Sequence, residues 1–285
     1  MRLTVTVKNF FYIKTAITVA AAIWLLGSAP AAASPVYLAP HEAAYTLRMT
    51  ERQPGGALVN INGEMAHKFL DECDGWATTQ SFVLHYIFQN GNSVSEEKRF
   101  TNWEAKDGSA LNFAADTSIN GKKTERLRGL ATRNADGSGR AVFQIPEDTG
   151  FDLTAGTLFP SRYVTELLKH AKAGQKIYNN LWFDGADKNG PVEVNSFVFS
   201  PALPATVTAA AYKDNPEIDT ELLGGTAWNM RLAFFSPEEK SGLPDLEMEI
   251  VLHDNGVVSA ATIHFKNFTL TETLGKLQKL EKPDC

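Results

Sequence analysis

The sequence predicts a mainly β protein, a long antiparallel meander interrupted by one amphipathic helix. Three observations support this fold class. Apolar and polar residues alternate with a period of two through several segments, turn-forming Asn-Gly and Asp-Gly pairs separate such segments, and a single segment has a helical period instead. A period of two with one polar face is typical of antiparallel strands that cover a core.

The alternation is clearest in three segments. Their apolar positions are Val59, Ile61, Met65 and Phe69; Trp228, Met230, Leu232 and Phe234; and Leu246, Met248, Ile250 and Leu252. The positions between them are mostly polar, for example Asn60 and Glu247. We therefore expect each of these segments to be a strand with one face in the core.

Turn signals recur along the chain. The dipeptides are Asn90-Gly91, Asp107-Gly108, Asn120-Gly121, Asp136-Gly137, Asn189-Gly190 and Asn255-Gly256. Asn-Gly and Asp-Gly provide the positive φ angles that tight hairpins require. Because hairpins join neighbouring antiparallel strands, the pattern predicts an up-and-down meander.

The helical segment begins after Pro160 and runs from Ser161 to Ala173. Its apolar positions share one helical face: Val164, Leu167, Leu168 and Ala171. Pro at the start and Gly174 at the end are typical helix boundaries. This helix could fill or cover the open side of a curled meander, as a lid, or pack on the outside as a peripheral element.

Residues 1–33 are predicted to be a secretory signal peptide. The basic residues of this leader are Arg2, Lys8 and Lys14. The apolar run from Ala16 to Leu26 is shorter than the roughly 20 residues that span a bilayer, and Ala31-Ala32-Ala33 supplies a small-residue cleavage motif. An uncleaved N-terminal anchor is the alternative.

Export would leave residues 34–285 as the mature protein. No Pro/Gly/Ser-rich linker divides these residues, so we expect one domain. No second apolar segment approaches spanning length, so we expect no stable membrane insertion after signal cleavage.

The charge balance bears on possible partners. The whole chain has a net charge of −6; without the three leader cations, 24 Lys+Arg stand against 33 Asp+Glu, which gives −9. The densest basic stretch is Lys122-Lys123 with Arg126 and Arg128. Nucleic-acid binding needs a larger basic footprint and is not expected. Composition does not favour direct binding to anionic lipid either.

Cys73 and Cys285 are the two cysteines of the chain. An exported protein lies where disulfides persist, and two cysteines allow one intramolecular pairing. A structural disulfide is favoured, whereas two free thiols or an intermolecular bridge remain as alternatives. A redox-active pair is disfavoured because there is no C-x-x-C motif.

A search for chemistry finds no catalytic constellation. The six histidines lack the H-E-x-x-H spacing of a zinc site, and neither a G-x-S-x-G elbow nor a phosphate loop is present. His253 and His264 could face each other across the Asp254–Gly256 turn, as a solvated pair or a weak metal site. We predict no metal, no cofactor and no enzyme activity.

Several motifs together resemble the EipB family in order and spacing, over roughly Ala39 to Cys285. They are His41-x-x-x-Tyr45; Cys73-x-Gly75-Trp76; Trp103-Glu104; Ala155-Gly156-Thr157-Leu158-Phe159-Pro160; Ala173-Gly174; Phe183-Asp184-Gly185; and Phe268-x-Leu270 with Leu274, Leu277 and Cys285. The resemblance implies an open, spiral-like β-barrel in the periplasm of a Gram-negative bacterium. It also implies one disulfide, here Cys73–Cys285, and a part in maintaining cell-envelope integrity, but no catalytic residue.

Two classes of function follow. The first is a non-enzymatic periplasmic protein that binds another envelope protein or a hydrophobic envelope component in the open barrel, since an incompletely closed sheet offers an apolar cleft. The second is a periplasmic hydrolase or transferase that acts on envelope glycan or lipid. The second would need converging titratable groups, which the sequence does not reveal.

Overall fold

The computed structural model of the chain describes residues 35–199, 201–237 and 242–285. These residues belong to one compact unit. The predicted signal peptide, residues 1–33, lies outside the described residues, and the boundary at residue 34 stays a prediction.

Strands dominate the described part of the chain, which contains 15 of them. They are β1 (His41–Arg52), β2 (Leu58–Glu72), β3 (Gly75–Phe88), β4 (Ser93–Ala105), β5 (Ala110–Ile119), β6 (Lys122–Arg133), β7 (Gly139–Ile145), β8 (Gly150–Leu153), β9 (Ile177–Trp182), β10 (Val192–Val198), β11 (Leu203–Pro204), β12 (Thr226–Phe235), β13 (Leu246–His253), β14 (Val258–Phe265) and β15 (Phe268–Lys279). The helices are α1 (Pro160–Lys172) and the short α2 (Ala205–Thr208), with 3₁₀ turns at Ala209–Tyr212 and Thr220–Leu223.

The strands form one antiparallel sheet in the order β8-β7-β6-β5-β4-β3-β2-β1-β15-β14-β13-β12-β10-β9, with β11 paired to β12. Each neighbour along this path follows the other in sequence, apart from the small β11 and the pairing of β1 with β15. The path ends at β8 and β9, so the sheet is open. The predicted mainly β meander is therefore confirmed.

Hairpin turns fall where the dipeptides predict them. The six turn dipeptides named above all lie between consecutive strands, whereas a further pair, Asn62-Gly63, lies within β2. Asn120 and Gly121 have φ angles of 50° and 76° between β5 and β6. Positive φ at both central residues is the geometry of a two-residue hairpin turn that matches the twist of the strands.

The inner face of the sheet is the face that carries the buried hydrophobic side chains. Ile61, Met65 and Phe69 of β2 lie on it, at 0%, 9% and 8% exposure. Val59 does not, because it is 40% exposed. The register of β2 against β3 shifts between Leu58 and Asn60, and this irregularity turns Val59 to the outer face.

Helix α1 covers the segment predicted from Ser161 to Ala173, shifted by one residue. Leu167, Leu168 and Ala171 are buried on it, as is Tyr163, while Val164 is half-buried. The helix is thus not peripheral, because its apolar side packs against the inner face of the sheet.

The Asp184-Gly185 turn after β9 also belongs to the core. Gly185 has a φ of +75°, and a Cβ added there would lie 2.2 Å from the ring of Phe113 on β5. Asp184 accepts a hydrogen bond from the Ala186 amide at 2.9 Å, as expected of a turn. The turn therefore needs glycine both for its backbone and for its close approach to β5.

Candidate functional site

The inner face is not filled uniformly along the strands. Hydrophobic side chains that stay half-buried pack against the core cluster that contains Leu47 and Ile61. We call them the apolar trough: Met49, Leu58, Phe82, Leu84, Tyr86, Leu246, Met248 and Phe268. They come from the ends of β1 and β3 and the starts of β2, β13 and β15. Because neighbouring strands are antiparallel, these positions lie at one end of the sheet.

Helix α1 lies at the opposite end. Tyr163, Leu167, Leu168 and Ala171 share a core cluster with residues from both halves of the sheet. The partners include Phe69 at the end of β2, Trp228 at the start of β12 and Leu252 near the end of β13. The helix therefore covers the end of the inner face formed by the end of β2 and the start of β12, and its cluster extends along β12 to Leu232, which is opposite the trough residue Met248. Ala209 and Tyr212 of the first 3₁₀ turn pack against the same core cluster as the trough.

A buried carboxylate fixes the first turn of α1. Glu104, at the end of β4, is 1% exposed. It accepts hydrogen bonds from the backbone amides of Ser161 (2.6 Å) and Arg162 (2.9 Å). Burial raises the pKa of Glu104 to about 7, and these two hydrogen bonds oppose that rise. The carboxylate satisfies amide donors that the start of a helix otherwise leaves free, so it ties the helix to the sheet.

Polar groups also occur on the inner face between the helix and the trough. The imidazole rings of His41 and His67 are 5.2 Å apart, and Gln80 Nε2 lies 3.3 Å from His67 Nδ1. Burial lowers the pKa of His67 to about 3, so its ring is neutral at physiological pH. The described residues contain no group of three or more His, Cys, Asp or Glu side chains placed to hold a metal ion.

Glu272 is the second buried carboxyl of the inner face. It lies on β15 between Leu270 and Leu274 and is 5% exposed. In the register it is opposite Leu47 on one side and Ala261 on the other. Burial raises its pKa to about 7. Within the described residues its carboxyl group makes no hydrogen bond, which makes it a costly charge to keep in an apolar setting.

A serine and a histidine meet in the interior. His253 Nε2 lies 2.9 Å from Ser259 Oγ, but the two residues are 0% and 3% exposed. Burial lowers the pKa of His253 to about 4. A nucleophile–base pair must reach its substrate, and this one is enclosed by the core.

The expected approach of His253 and His264 across their hairpin is wrong. The β13–β14 register places His264 opposite Glu247, at the far end of the hairpin from His253. The predicted turn is right, but the two histidines lie at opposite ends of its strands.

The Cys73–Cys285 disulfide closes the α1 end of the sheet. The two sulfur atoms are bonded at 2.04 Å and the Cα atoms lie 5.9 Å apart. Cys73 is in the β2–β3 turn, where its amide donates to Asp71 Oδ1 at 3.0 Å. Residues 280–285 leave β15 and reach this turn, and Leu280 donates its amide to the Pro40 carbonyl on the way. The bridge therefore links the β15 end to the β2–β3 hairpin, across the start of β1.

Two concavities have a mixed or polar lining. One of about 590 Å³ lies over β1–β3 and is lined largely by outer-face polar side chains such as Arg48, Asn62 and His85. The other, of about 430 Å³, lies beside β9 and β10 and includes Glu193 and Asn195. The first concavity also reaches Leu47, Ile61 and the trough residue Met49, whereas the second contains no residue of the apolar trough.

Among the described residues, no helix has the length and hydropathy that a membrane crossing requires.

These features define a class of protein: an open, β-barrel-like antiparallel sheet that coils around one helix and is tied by a disulfide. The EipB-like family model matches residues 32–281. The chain belongs to this family, and the resemblance seen in its motifs is confirmed.

Two known proteins are similar over most of their length. The cell envelope integrity protein EipB of Brucella abortus (strain 2308) is 27% identical over 259 residues, which cover 89% of this chain and 87% of that protein. A crystal structure of a β-barrel-like protein of the domain of unknown function DUF1849, also from Brucella abortus, has a TM-score of 0.76 and 25% identity. That match covers 86% of this chain and 100% of the solved chain.

Removal of the disulfide tests its structural role. Cys285→Ser should lower the free energy of unfolding by about 3–5 kcal/mol, because the bridge joins residues 212 positions apart and restricts the unfolded chain. Thermal unfolding with and without reductant measures this effect. The reductant should bring the parent protein to the variant's stability and leave the variant unchanged. Equal stability of both proteins in oxidising buffer would contradict a structural bridge.

The position of α1 predicts a large difference between two alanine substitutions. Leu168→Ala should lower the free energy of unfolding by about 2–5 kcal/mol, because Leu168 is fully buried. Lys172→Ala, on the same helix but half-buried, should change it by less than about 0.5 kcal/mol. Denaturant unfolding compares them, and similar midpoints would mean that the helix does not belong to the core.

Glu272 predicts a pH dependence of stability. Its folded-state pKa of about 7 exceeds its ordinary value of 4.5, so the folded protein binds the proton more tightly than the unfolded chain. The stabilisation from the neutral form is complete below pH 4.5 and is lost as the pH rises towards about 7. Relative to Glu272→Gln, the parent should lose up to about 3 kcal/mol over this range. Exposed Glu281→Gln is the control, and parallel curves for the parent and Glu272→Gln would refute the idea.

Proposed function

We propose that this protein is a non-enzymatic periplasmic protein that helps to maintain the cell envelope by holding a hydrophobic envelope component in the apolar trough. The envelope role is suggested by the name of its Brucella relative, the cell envelope integrity protein EipB. The manner of action is suggested by the geometry of this chain's own inner face.

The half-buried trough is the observation that carries the proposal. Where the inner face of the sheet packs against another element, its hydrophobic side chains are buried, as they are around α1. At the other end, aromatic and aliphatic side chains such as Phe82, Leu84 and Met248 keep part of their surface in water. Exposed apolar surface in a concave setting is typical of sites that bind apolar ligands.

The rest of the fold favours a trough of constant shape. The β1–β15 pairing and the disulfide hold the two halves of the sheet together, and α1 is fixed by Glu104 and by its buried face. Binding to such a preorganised surface avoids most of the ordering cost that a flexible site would incur. On this proposal, α1 is a permanent plug at one end, and the ligand enters from the other.

The alternative function, a periplasmic hydrolase or transferase acting on glycan or lipid, has less support. Such an enzyme needs a nucleophile or a carboxylate pair at an accessible point. Ser259 and His253 are enclosed, and Glu104 is engaged with the start of α1. Glu272 is single and buried on β15.

Two neighbouring residues of β3 provide a matched test. Leu84 belongs to the trough, whereas Val83 is 38% exposed on the outer face and lines the polar concavity over β1–β3. Leu84→Asp should weaken binding of a fluorescent fatty acid by about tenfold or more, because burial of one aliphatic side chain contributes about 1.5–3 kcal/mol. Val83→Asp should bind like the parent.

Fluorescence titration of the purified proteins measures the two affinities, and circular dichroism confirms that both variants fold. A strain with Leu84→Asp should also become as sensitive to detergent as a deletion strain, whereas Val83→Asp should not. No binding to the parent, or equal losses in the two variants, would overturn the trough as the ligand site. A partner protein captured equally by both variants would point to a different surface.

A further inference from the structure

A second surface lies on the outer face of β4 to β7, where positive charge concentrates around one aspartate. Asp116 on β5 accepts hydrogen bonds from Lys123 Nζ (2.9 Å), Arg126 Nε (3.0 Å) and Arg128 Nη2 (3.3 Å). Arg99 on β4 stands opposite Asp116 in the register. We call Arg99, Lys123, Arg126 and Arg128 the cationic cluster.

One carboxylate cannot neutralise this cluster. An ammonium group has three N–H donors and a guanidinium five, so most donors of the cluster have no partner in Asp116. The side chains of Lys123, Arg126 and Arg128 are 47%, 45% and 43% exposed.

Other charges on this face do not remove the excess. Glu97, two residues before Arg99 on β4, is the next carboxylate on the face. Asp152 on β8 is already paired with Arg140 at 2.6 Å. On the outer-face positions of β4 to β8, five cations thus face three anions, whereas residues 34–285 carry −9. Further exposed acids border these positions: Glu125 before Arg126, and Glu147 and Asp148 in the turn after Ile145.

Exposed aliphatic side chains adjoin the cluster. Leu130, Val142 and Ile145 are 38%, 47% and 36% exposed. Leu130 follows Arg128 by two residues on β6 and so shares its face, and it is opposite Val142 on β7. Ile145 is opposite Arg128 itself. The apolar row is therefore a direct continuation of the cationic cluster along β6 and β7.

We propose that this outer face docks on an anionic membrane surface, with the cationic cluster against lipid phosphates and the apolar row in the boundary between headgroups and acyl chains. Reversible membrane binding requires two weak signals acting together, and basic residues beside exposed aliphatic residues provide both. Nucleic acid would be served by the cations alone and gives the apolar row no role. The negative charge of the remaining surface orients the molecule, since only this face is attracted to the lipid.

Vesicle sedimentation tests the proposal without reference to the trough. The protein is mixed with vesicles of phosphatidylcholine alone or with 30% phosphatidylglycerol. The parent should bind the anionic vesicles, release them as salt rises from 20 to 500 mM, and bind neutral vesicles weakly. Arg126→Glu with Arg128→Glu should lower the partition coefficient by roughly 25-fold or more, since each basic residue near an anionic surface contributes about fivefold. Lys188→Glu with Lys213→Glu makes the same charge change on exposed residues outside the cluster and should have little effect.

Two single substitutions keep the test decisive if the double variant does not fold. Asp116→Asn removes the central negative charge and should strengthen binding about fivefold. Val142→Ser should weaken binding while leaving its salt dependence unchanged, because it removes apolar contact and no charge. The proposal is overturned if the parent ignores phosphatidylglycerol, if both double variants lose binding equally, or if Asp116→Asn does not strengthen binding.

Discussion

The antiparallel pairing of β1 with β15 is the interaction on which the rest of the structure depends. It extends over 11 residue pairs, from His41 opposite Lys279 to Arg52 opposite Phe268. Every other long pairing in the sheet joins consecutive strands, apart from β10 with β12, which are separated by the segment that contains the small β11. Without the β1–β15 pairing, the chain would form two separate meanders, and β1 and β15 would each be an exposed edge strand. With it, the two halves become one continuous sheet, whose inner face can coil around α1 and leave a trough at the other end.

Individual strands, turns and the helix could be predicted from the sequence because they depend on short segments of the chain. Alternation identified β2, β12 and β13, the turn dipeptides marked hairpins such as β5–β6 and β13–β14, and a 3.6-residue period identified α1. Val59 shows the limit, because one irregularity in the pairing with β3 moves a residue to the other face and leaves no mark in the pattern. The same holds for His253 and His264, whose separation depends on the register of a hairpin rather than on its turn.

The candidate site was less predictable because it depends on contacts between distant segments. Tyr163 completes the buried side of α1 but carries a hydroxyl, which bonds Ser196 on β10 at 2.8 Å. Glu104 is a polar residue near the end of a strand, and only the fold places it against the first turn of a helix 57 residues later. Glu272 had a readable signal, since it falls between Leu270 and Leu274 at inner-face positions. The distribution of charge was also not predictable from composition. The net charge indicates an acidic protein, whereas the register of β4, β5 and β6 brings several basic side chains onto one face of the sheet.

The pairing of β1 with β15 also limits the order in which the protein can fold. A chain is synthesised from its N-terminus, so the hairpins of β1 to β8 can form while β15 is still unavailable. Until β15 arrives, β1 is an unpaired edge, and its buried residues Tyr45 and Leu47 lack their cross-strand partners Leu274 and Glu272. Contacts between segments this far apart form late and slowly, and unpaired edges invite association with other chains. The chain should therefore be most prone to association with other chains before its C-terminal strand has paired with β1, and its maturation depends on that pairing.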